Sequence, residues 1–108
     1  QILMNLVRNA IEAKARKIVI DVVNDSLREK QVSLYIGNDG LPIPAENRRS
    51  LFVPFFTTKR NGNGIGLSLS RRMMIQQGGM LELAEHSFQG CHAGFVLTFM
   101  LTNSDTSD

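Results

Sequence analysis

Segments with helical periodicity alternate with segments rich in β-branched residues along this chain. Apolar residues recur at helical spacing in residues 1–16, and LSLSRRMMIQQ at 67–77 is also typical of a helix. The strand-like segments and one short helix complete the pattern, with strands predicted at 17–23, 32–36, 80–84 and 95–101 and the short helix at 45–51. This order predicts an α/β fold, a two-layer α+β sandwich in which helices cover one face of a mixed β-sheet.

The length of the chain fits one domain. Its 108 residues leave little room for a second hydrophobic core, so we expect a single domain over residues 1–101 and a polar tail over 102–108. The chain opens inside an amphipathic pattern, with neither an initiator Met nor a helix N-cap. We therefore interpret it as a piece of a longer protein that lacks an N-terminal strand or helix of the domain.

Charge and cysteine content restrict the function classes. The net charge is +2, and no run of Lys and Arg with interleaved aromatic residues indicates a nucleic-acid partner. A single cysteine excludes an intrachain disulfide and favours a reducing compartment, here the cytoplasm. No apolar run approaches the roughly 20 residues of a membrane span, so we expect no membrane contact by this domain. The sequence is compatible with a parent protein anchored in the inner membrane.

Two asparagines on the first predicted helix are candidate ligands. Asn5 and Asn9 are four residues apart, which places their carboxamides on one helix face, with Arg8 beside them. Asparagine is a weak helix former, so this pair is either an ordinary hydrated face or a set of neutral oxygen donors. Mg²⁺ prefers oxygen ligands and usually also binds substrate phosphates. Arg8 could reach such a phosphate.

The segment GNDGLPIP at 37–44 breaks regular structure. Asn38 and Asp39 supply side-chain acceptors, Gly40 permits an unusual backbone path, and Ile43 offers an apolar surface. An acceptor fixed near an aliphatic side chain suits the exocyclic amine of a purine. Asn-Asp-Gly is also a common turn, so the segment by itself leaves both interpretations open.

A glycine-rich stretch, NGNGIG at 61–66, precedes the second long helix. Glycines allow close approach of phosphate oxygens, and a helix start offers free N–H groups. Neither the dinucleotide fingerprint G-x-G-x-x-G nor the phosphate-loop pattern G-x-x-x-x-G-K-[ST] is present. Lys59 and Arg60 either neutralise phosphate charge or are solvated loop residues.

These elements, in this order, resemble the ATP-binding domain of histidine kinases, in the family shared with DNA gyrase, the heat-shock chaperone ATPase and the MutL repair protein. NLVRNAIEA resembles the N-box, GNDGLPIP the G1 box, FVPFFTTK the F-box and GNGIGLSLSRRM the G2 box. GGMLEL and GFVLTFML resemble the two closing strands, so the likeness extends over nearly residues 1–101. The F-box favours histidine kinases over their relatives, including the anti-sigma type of serine kinase.

The resemblance implies the Bergerat ATP-binding fold, with ATP and Mg²⁺ between the first helix and a lid at about 57–64. Asn9 would be the main Mg²⁺ ligand with Asn5 alongside. The implied ATP-binding residues are Asn5, Arg8, Asn9, Asn38, Gly40, Ile43, Lys59, Gly62, Gly64, Gly66 and Leu67.

The implied activity is that of a two-component sensor kinase. The parent would transfer phosphate from ATP to a histidine outside the fragment and then to a response regulator. Its partners would be ATP, the dimerisation and phosphoacceptor domain of the same protein, and that regulator. His86 and His92 lack the family's phosphoacceptor pattern, so we interpret both as surface or strand-end residues.

The G1 box departs from the usual pattern Asp-x-Gly-x-Gly, because Asn38 stands at the aspartate position and Pro42 at the second glycine. Asn38 keeps an acceptor oxygen, although its hydrogen bond to adenine would no longer be charge-assisted. The alternative function is a regulatory kinase-like module that binds nucleotide poorly and acts through protein contacts.

Overall fold

A computed structural model describes residues 1–26, 30–53, 66–84 and 89–100. These described residues form three helical and four strand segments, in the order helix, two strands, two helices, two strands. In chain order they are α1 (Ile2–Glu12), β1 (Ile18–Ser26), β2 (Gln31–Asn38), the 3₁₀ helix α2 (Ala45–Ser50), α3 (Gly66–Gln76), β3 (Met80–Leu83) and β4 (Ala93–Met100). The predicted element order is confirmed.

The four strands form one sheet in the order β1-β2-β4-β3. Every neighbouring pair is antiparallel, so the mixed sheet expected from the sequence is not seen in the described part of the chain. The reason lies in the connectivity. The crossover through α3 ends at β3 on the sheet edge, and β4 returns between β2 and β3, so no crossover joins two neighbouring parallel strands.

The hydrophobic core lies between the sheet and the two α-helices. Leu6 of α1 and Met74 of α3 pack with Ile36, Leu81, Phe95 and Leu97. Ile36 pairs with Phe95, and Leu81 with Leu97, which places all four strand residues on one face. The expected two-layer arrangement, with helices on one face of the sheet, is therefore confirmed.

Helix α1 ends earlier than its sequence pattern predicts. It stops at Glu12 instead of continuing to residue 16, because Lys14 adopts a left-handed conformation with φ of 63°. The Lys14 amide donates to the Ile11 carbonyl at 2.9 Å, and the Ala15 amide donates to Ala10 at 3.0 Å. These two bonds form a Schellman motif, which usually has glycine at this position.

Helix α3 ends as predicted, at a glycine. Gly78 has φ of 83°, its amide donates to Ile75 at 2.9 Å, and the Gly79 amide donates to Met74 at 2.8 Å. This is again a Schellman motif, now with the residue that adopts the left-handed region at least cost.

A buried aromatic ring lies on the face of the sheet opposite the helices. Tyr35 lies across Gly37 and Gly94, where an added Cβ would overlap its ring atoms. Burial, together with the neighbouring Cys91, raises the pKa of Tyr35 to about 12. The two glycines therefore make room for a phenol whose hydroxyl stays protonated to a higher pH than in an unperturbed tyrosine.

The two described α-helices have 11 residues each, and neither is long and apolar enough to span a membrane.

Candidate functional site

The G1-box segment folds into a turn at the end of β2, which we call the asparagine turn (residues 38–41). Its backbone is joined to the connection between α1 and β1. The Leu41 amide donates to the Ala13 carbonyl at 2.9 Å, and the Asp39 amide donates to Lys17 at 3.2 Å. The asparagine turn is therefore fixed against the C-terminal end of α1.

Asn38 is the most buried polar side chain of this turn, at 4% exposure. Its Oδ1 accepts a hydrogen bond from the Gly40 amide at 2.9 Å, and its backbone carbonyl accepts one from the His92 amide at 2.8 Å. The side chain thus shapes its own turn, as Asx turns do. It also lies where the resemblance places the contact with the base.

Gly40 has no space for a side chain. A Cβ at this position would lie 2.6 Å from the Ala13 carbonyl oxygen and 2.9 Å from Asn38 Oδ1. Backbone carbonyls cannot move away as a flexible side chain could. The sequence predicts that this position needs glycine. The structural reason is the close approach of two backbone segments, since Gly40 packs against the end of α1.

Asp39 ties the turn to the chain before β1. One of its carboxylate oxygens, Oδ1, accepts from the amides of Arg16 at 2.8 Å and Lys17 at 2.9 Å. The hydrogen bonds from Lys17 and Arg16 lower the pKa of the Asp39 carboxyl, because they favour its ionised form. Asp39 is therefore a positioning residue of the turn.

We expect Asp39→Asn to lower the melting temperature by a few degrees at pH 7. The folded-state pKa is depressed, so this stabilisation is present above the unfolded-state pKa and is lost as pH falls through the folded one. Thermal melts at pH 7 and at stepwise lower pH should show that the difference in melting temperature between variant and wild type shrinks below about pH 4. Glu46→Gln, which removes an exposed carboxylate from α2, is the control. A difference that does not change with pH would contradict this role.

Asn5 lies at the contact between α1 and α3, at 8% exposure. Its Nδ2 donates to Ser70 Oγ at 2.9 Å and to the Gly66 carbonyl at 3.3 Å, and Ser70 Oγ donates to the same carbonyl at 2.9 Å. The carboxamide nitrogen is therefore used in joining the two helices. The carboxamide oxygen is the end of Asn5 that suits a cation.

The other predicted site residues have different surroundings. Asn9 is half-buried and Arg8 is exposed on the same helix. Ile43 and Leu67 pack against the core as partly buried residues, and Gly66 is the first residue of α3. Lys59, Gly62 and Gly64 lie outside the described residues, as do the lid at 57–64 and most of the F-box.

The first F-box phenylalanine links the site region to the core. The Phe52 ring meets Phe95 edge to face, with 6.5 Å between centroids, and the Arg71 guanidinium lies 4.8 Å above the Phe52 ring centroid. Arg71 Nε is buried and has no hydrogen-bond partner in the described parts of the chain. The aromatic contact therefore holds an arginine of α3 against the segment that follows α2.

Sequence reasoning missed two residues that support the site. Ser70, fully buried, completes the Asn5 contact, and the His92 ring contacts the Gly40 carbonyl through Nδ1 at 3.1 Å. A carbonyl oxygen only accepts, so Nδ1 of His92 donates. His92 is an exposed residue just before β4, as predicted, but it also supports the asparagine turn. The only sequence signal for Ser70 was a small polar residue one turn into α3.

Comparison with known proteins gives consistent results. The pattern of the family described as histidine kinase-, DNA gyrase B- and HSP90-like ATPase matches residues 1–103. The chain is 32% identical over 97% of its length to the sensor histidine kinase ZraS of Escherichia coli K12, and covers 22% of that protein. It is 34% identical over 90% of its length to the sensor protein FixL of Bradyrhizobium diazoefficiens, and covers 20% of it. The chain thus spans about a fifth of the length of these relatives.

Solved structures show the same architecture. The nucleotide-free catalytic domain of histidine kinase ThkA is 35% identical, with a TM-score of 0.73, and the match covers 93% of this chain and 64% of that one. The sensor histidine kinase MprB, a mycobacterial protein, has a TM-score of 0.72 at 20% identity, with 92% and 69% of the two chains covered, which is a likeness of fold.

Proposed function

Because this chain belongs to the histidine kinase-, DNA gyrase B- and HSP90-like ATPase family, we propose that it is the ATP-binding catalytic domain of a two-component sensor histidine kinase. It would hold ATP and Mg²⁺ and present them for phosphoryl transfer to a histidine outside residues 1–108. Its partners would be the dimerisation and phosphoacceptor domain of the same protein and a response regulator. The domain would work in the cytoplasm, with its parent anchored in the inner membrane as one arrangement compatible with this location.

The observation that carries this proposal is the attachment of the asparagine turn to the N-box helix. The Leu41 amide donates to the Ala13 carbonyl, immediately after α1 ends. Asn5 and Asn9, on α1, therefore stand on the same rigid unit as Asn38. A base bound at the turn and a phosphate-bound cation at the helix would be held in fixed relation, which is what positioning for phosphoryl transfer requires.

The donor set fits Mg²⁺. Asn9 is half-buried on α1, and Asn5 directs its nitrogen at Ser70, which leaves the carboxamide oxygen as the acceptor end. Neutral carboxamide oxygens are hard donors of the kind that Mg²⁺ accepts beside phosphate oxygens and water. We propose Asn9 as the main ligand and Asn5 as its neighbour. The cation would neutralise phosphate charge during transfer.

The N-box chemistry favours transfer over hydrolysis. The resemblance places a water-activating glutamate of the ATP-hydrolysing relatives at the position of Asn5. A carboxamide has no proton-accepting state near neutral pH, so Asn5 cannot act as a general base. Its nitrogen is moreover bonded to Ser70 and Gly66. The chain would therefore hold ATP until an acceptor reaches the phosphate.

The proposal is tested by calorimetric titration of the chain with a non-hydrolysable ATP analogue, with and without Mg²⁺. We expect saturable binding that Mg²⁺ strengthens, together with a rise in melting temperature, because a ligand that binds only the folded state stabilises it. Adenosine and inorganic triphosphate, titrated separately, show the contributions of base and phosphates. No saturable heat and no thermal shift at millimolar ligand would overturn the proposal.

A further inference from the structure

The amide group of Asn38 has one fixed orientation. Its Oδ1 accepts from the Gly40 amide at 2.9 Å inside a side chain that is 4% exposed. If the amide were rotated by 180°, Nδ2 would face the Gly40 N–H, and two donors would meet in a buried turn. Because unpaired buried donors are costly, the side chain keeps its oxygen on Gly40.

The other end of this amide is a hydrogen-bond donor. Within residues 1–26, 30–53, 66–84 and 89–100, no hydrogen bond from Asn38 Nδ2 is seen. In the same part of the chain, Arg71 Nε is the fully buried side-chain nitrogen without a partner, so Asn38 Nδ2 keeps a small accessible area within a side chain that is 4% exposed. The group that Asn38 offers to a ligand is therefore an N–H. Ile43 supplies an aliphatic side chain in the same G1-box segment.

From this geometry we propose that Asn38 makes the site prefer a 6-oxopurine nucleotide, such as inosine or guanosine triphosphate, over ATP. This inference rests on the proposed function, which places a purine base at the asparagine turn. The 6-amino group of adenine is a donor and would face the donor Nδ2 of Asn38. The 6-oxo group of hypoxanthine or guanine is an acceptor and completes the hydrogen bond.

An aspartate at position 38 would have the opposite preference. A carboxylate accepts at both oxygens, so one could bind the Gly40 amide while the other accepted from the adenine amine. The turn itself would be retained, because its hydrogen bond to Gly40 needs only an oxygen. We therefore expect Asn38→Asp to fold and to present an acceptor where wild type presents a donor.

The test is a set of calorimetric titrations of wild type and Asn38→Asp with Mg²⁺ and either ATP or inosine triphosphate. These nucleotides differ at the base edge that faces position 38 and share sugar and phosphates. We expect wild type to bind inosine triphosphate about tenfold more tightly than ATP, the effect of one hydrogen bond of about 1.4 kcal/mol. Asn38→Asp should reverse the ratio. Guanosine triphosphate should behave as the inosine nucleotide does.

The control is Asn47→Asp, which makes the same chemical change on α2 and should leave the ratio at its wild-type value. Thermal melts of all three proteins establish that each is folded. ATP binding more tightly than inosine triphosphate to wild type would overturn the inference and leave the proposed function standing. The inference is also overturned if wild type binds neither nucleotide while Asn38→Asp binds ATP. Absence of binding by both proteins would overturn the proposed function as well.

Discussion

Asn9→Ala is expected to bind an ATP analogue with nearly the same affinity whether or not Mg²⁺ is present. The wild-type protein should bind it more tightly with Mg²⁺, because the Asn9 oxygen completes the coordination of a cation that also binds phosphate. We expect the variant to lose about 10- to 100-fold in affinity for the magnesium complex, as metal sites do when supporting groups are removed. Calorimetric titrations with Mg²⁺ and with a chelator measure both affinities.

The control for this prediction is Asn9→Asp. A carboxylate also offers oxygen to Mg²⁺, so this variant should keep a response to the cation, and its added charge should weaken binding when Mg²⁺ is absent. Melting curves without nucleotide show whether each variant is folded. If Asn9→Ala responds to Mg²⁺ as wild type does, Asn9 is not the ligand.

Met74→Ala is expected to reduce the free energy of unfolding by about 2 to 5 kcal/mol, the cost of truncating a large side chain in a packed core. Met74 of α3 is fully buried in the core cluster. For a domain of this size the loss corresponds to a fall in melting temperature of about 10 to 20 °C. Urea titration with a melting curve measures both quantities.

The matched control is Met4→Ala. Met4 also lies inside an 11-residue helix, α1, so any gain from the better helix propensity of alanine is the same in both variants. Its side chain is 60% exposed, and we expect a change within about 0.5 kcal/mol. Equal destabilisation by the two substitutions would show that the core does not depend on α3 as described.

The element order could be predicted from periodicity, because apolar residues at helical spacing and β-branched runs report local structure directly. The end of α1 could not. The residue that stops the helix is Lys14, and a lysine in the sequence does not indicate a left-handed backbone conformation as a glycine would. The turn is held by surrounding contacts, including the Leu41 amide on the Ala13 carbonyl, and these join residues far apart in sequence. Local propensity contains no information about such contacts.

The role of Asn5 shows the same limit within the candidate site. Sequence periodicity placed it on a polar stripe of α1, which fits either a hydrated face or a ligand. The structure buries it against Ser70 of α3. Whether a polar residue on a helix faces water or another helix depends on how the helices pack, so the spacing of Asn5 and Asn9 could not distinguish the two. Its part in binding Mg²⁺ remains a prediction.

More of the chemistry of the G1-box segment could be predicted from the sequence. Its composition of Asn, Asp and Gly predicted a turn with side-chain acceptors, and Asn38 and Asp39 both accept backbone hydrogen bonds. The partners could not be predicted, because Asp39 binds amides 22 and 23 residues earlier in the chain. The turn is therefore recognisable from sequence, while its attachment to α1 is a property of the fold.

The asparagine turn is closed by three stretches of chain that meet only when the domain is complete: the segment after α1, the end of β2, and His92 before β4. A partly unfolded chain could keep its separate helices and hairpins, yet it would have no assembled surface for a base. Nucleotide recognition in this chain should therefore vanish together with long-range order, and retained secondary structure alone would not preserve it.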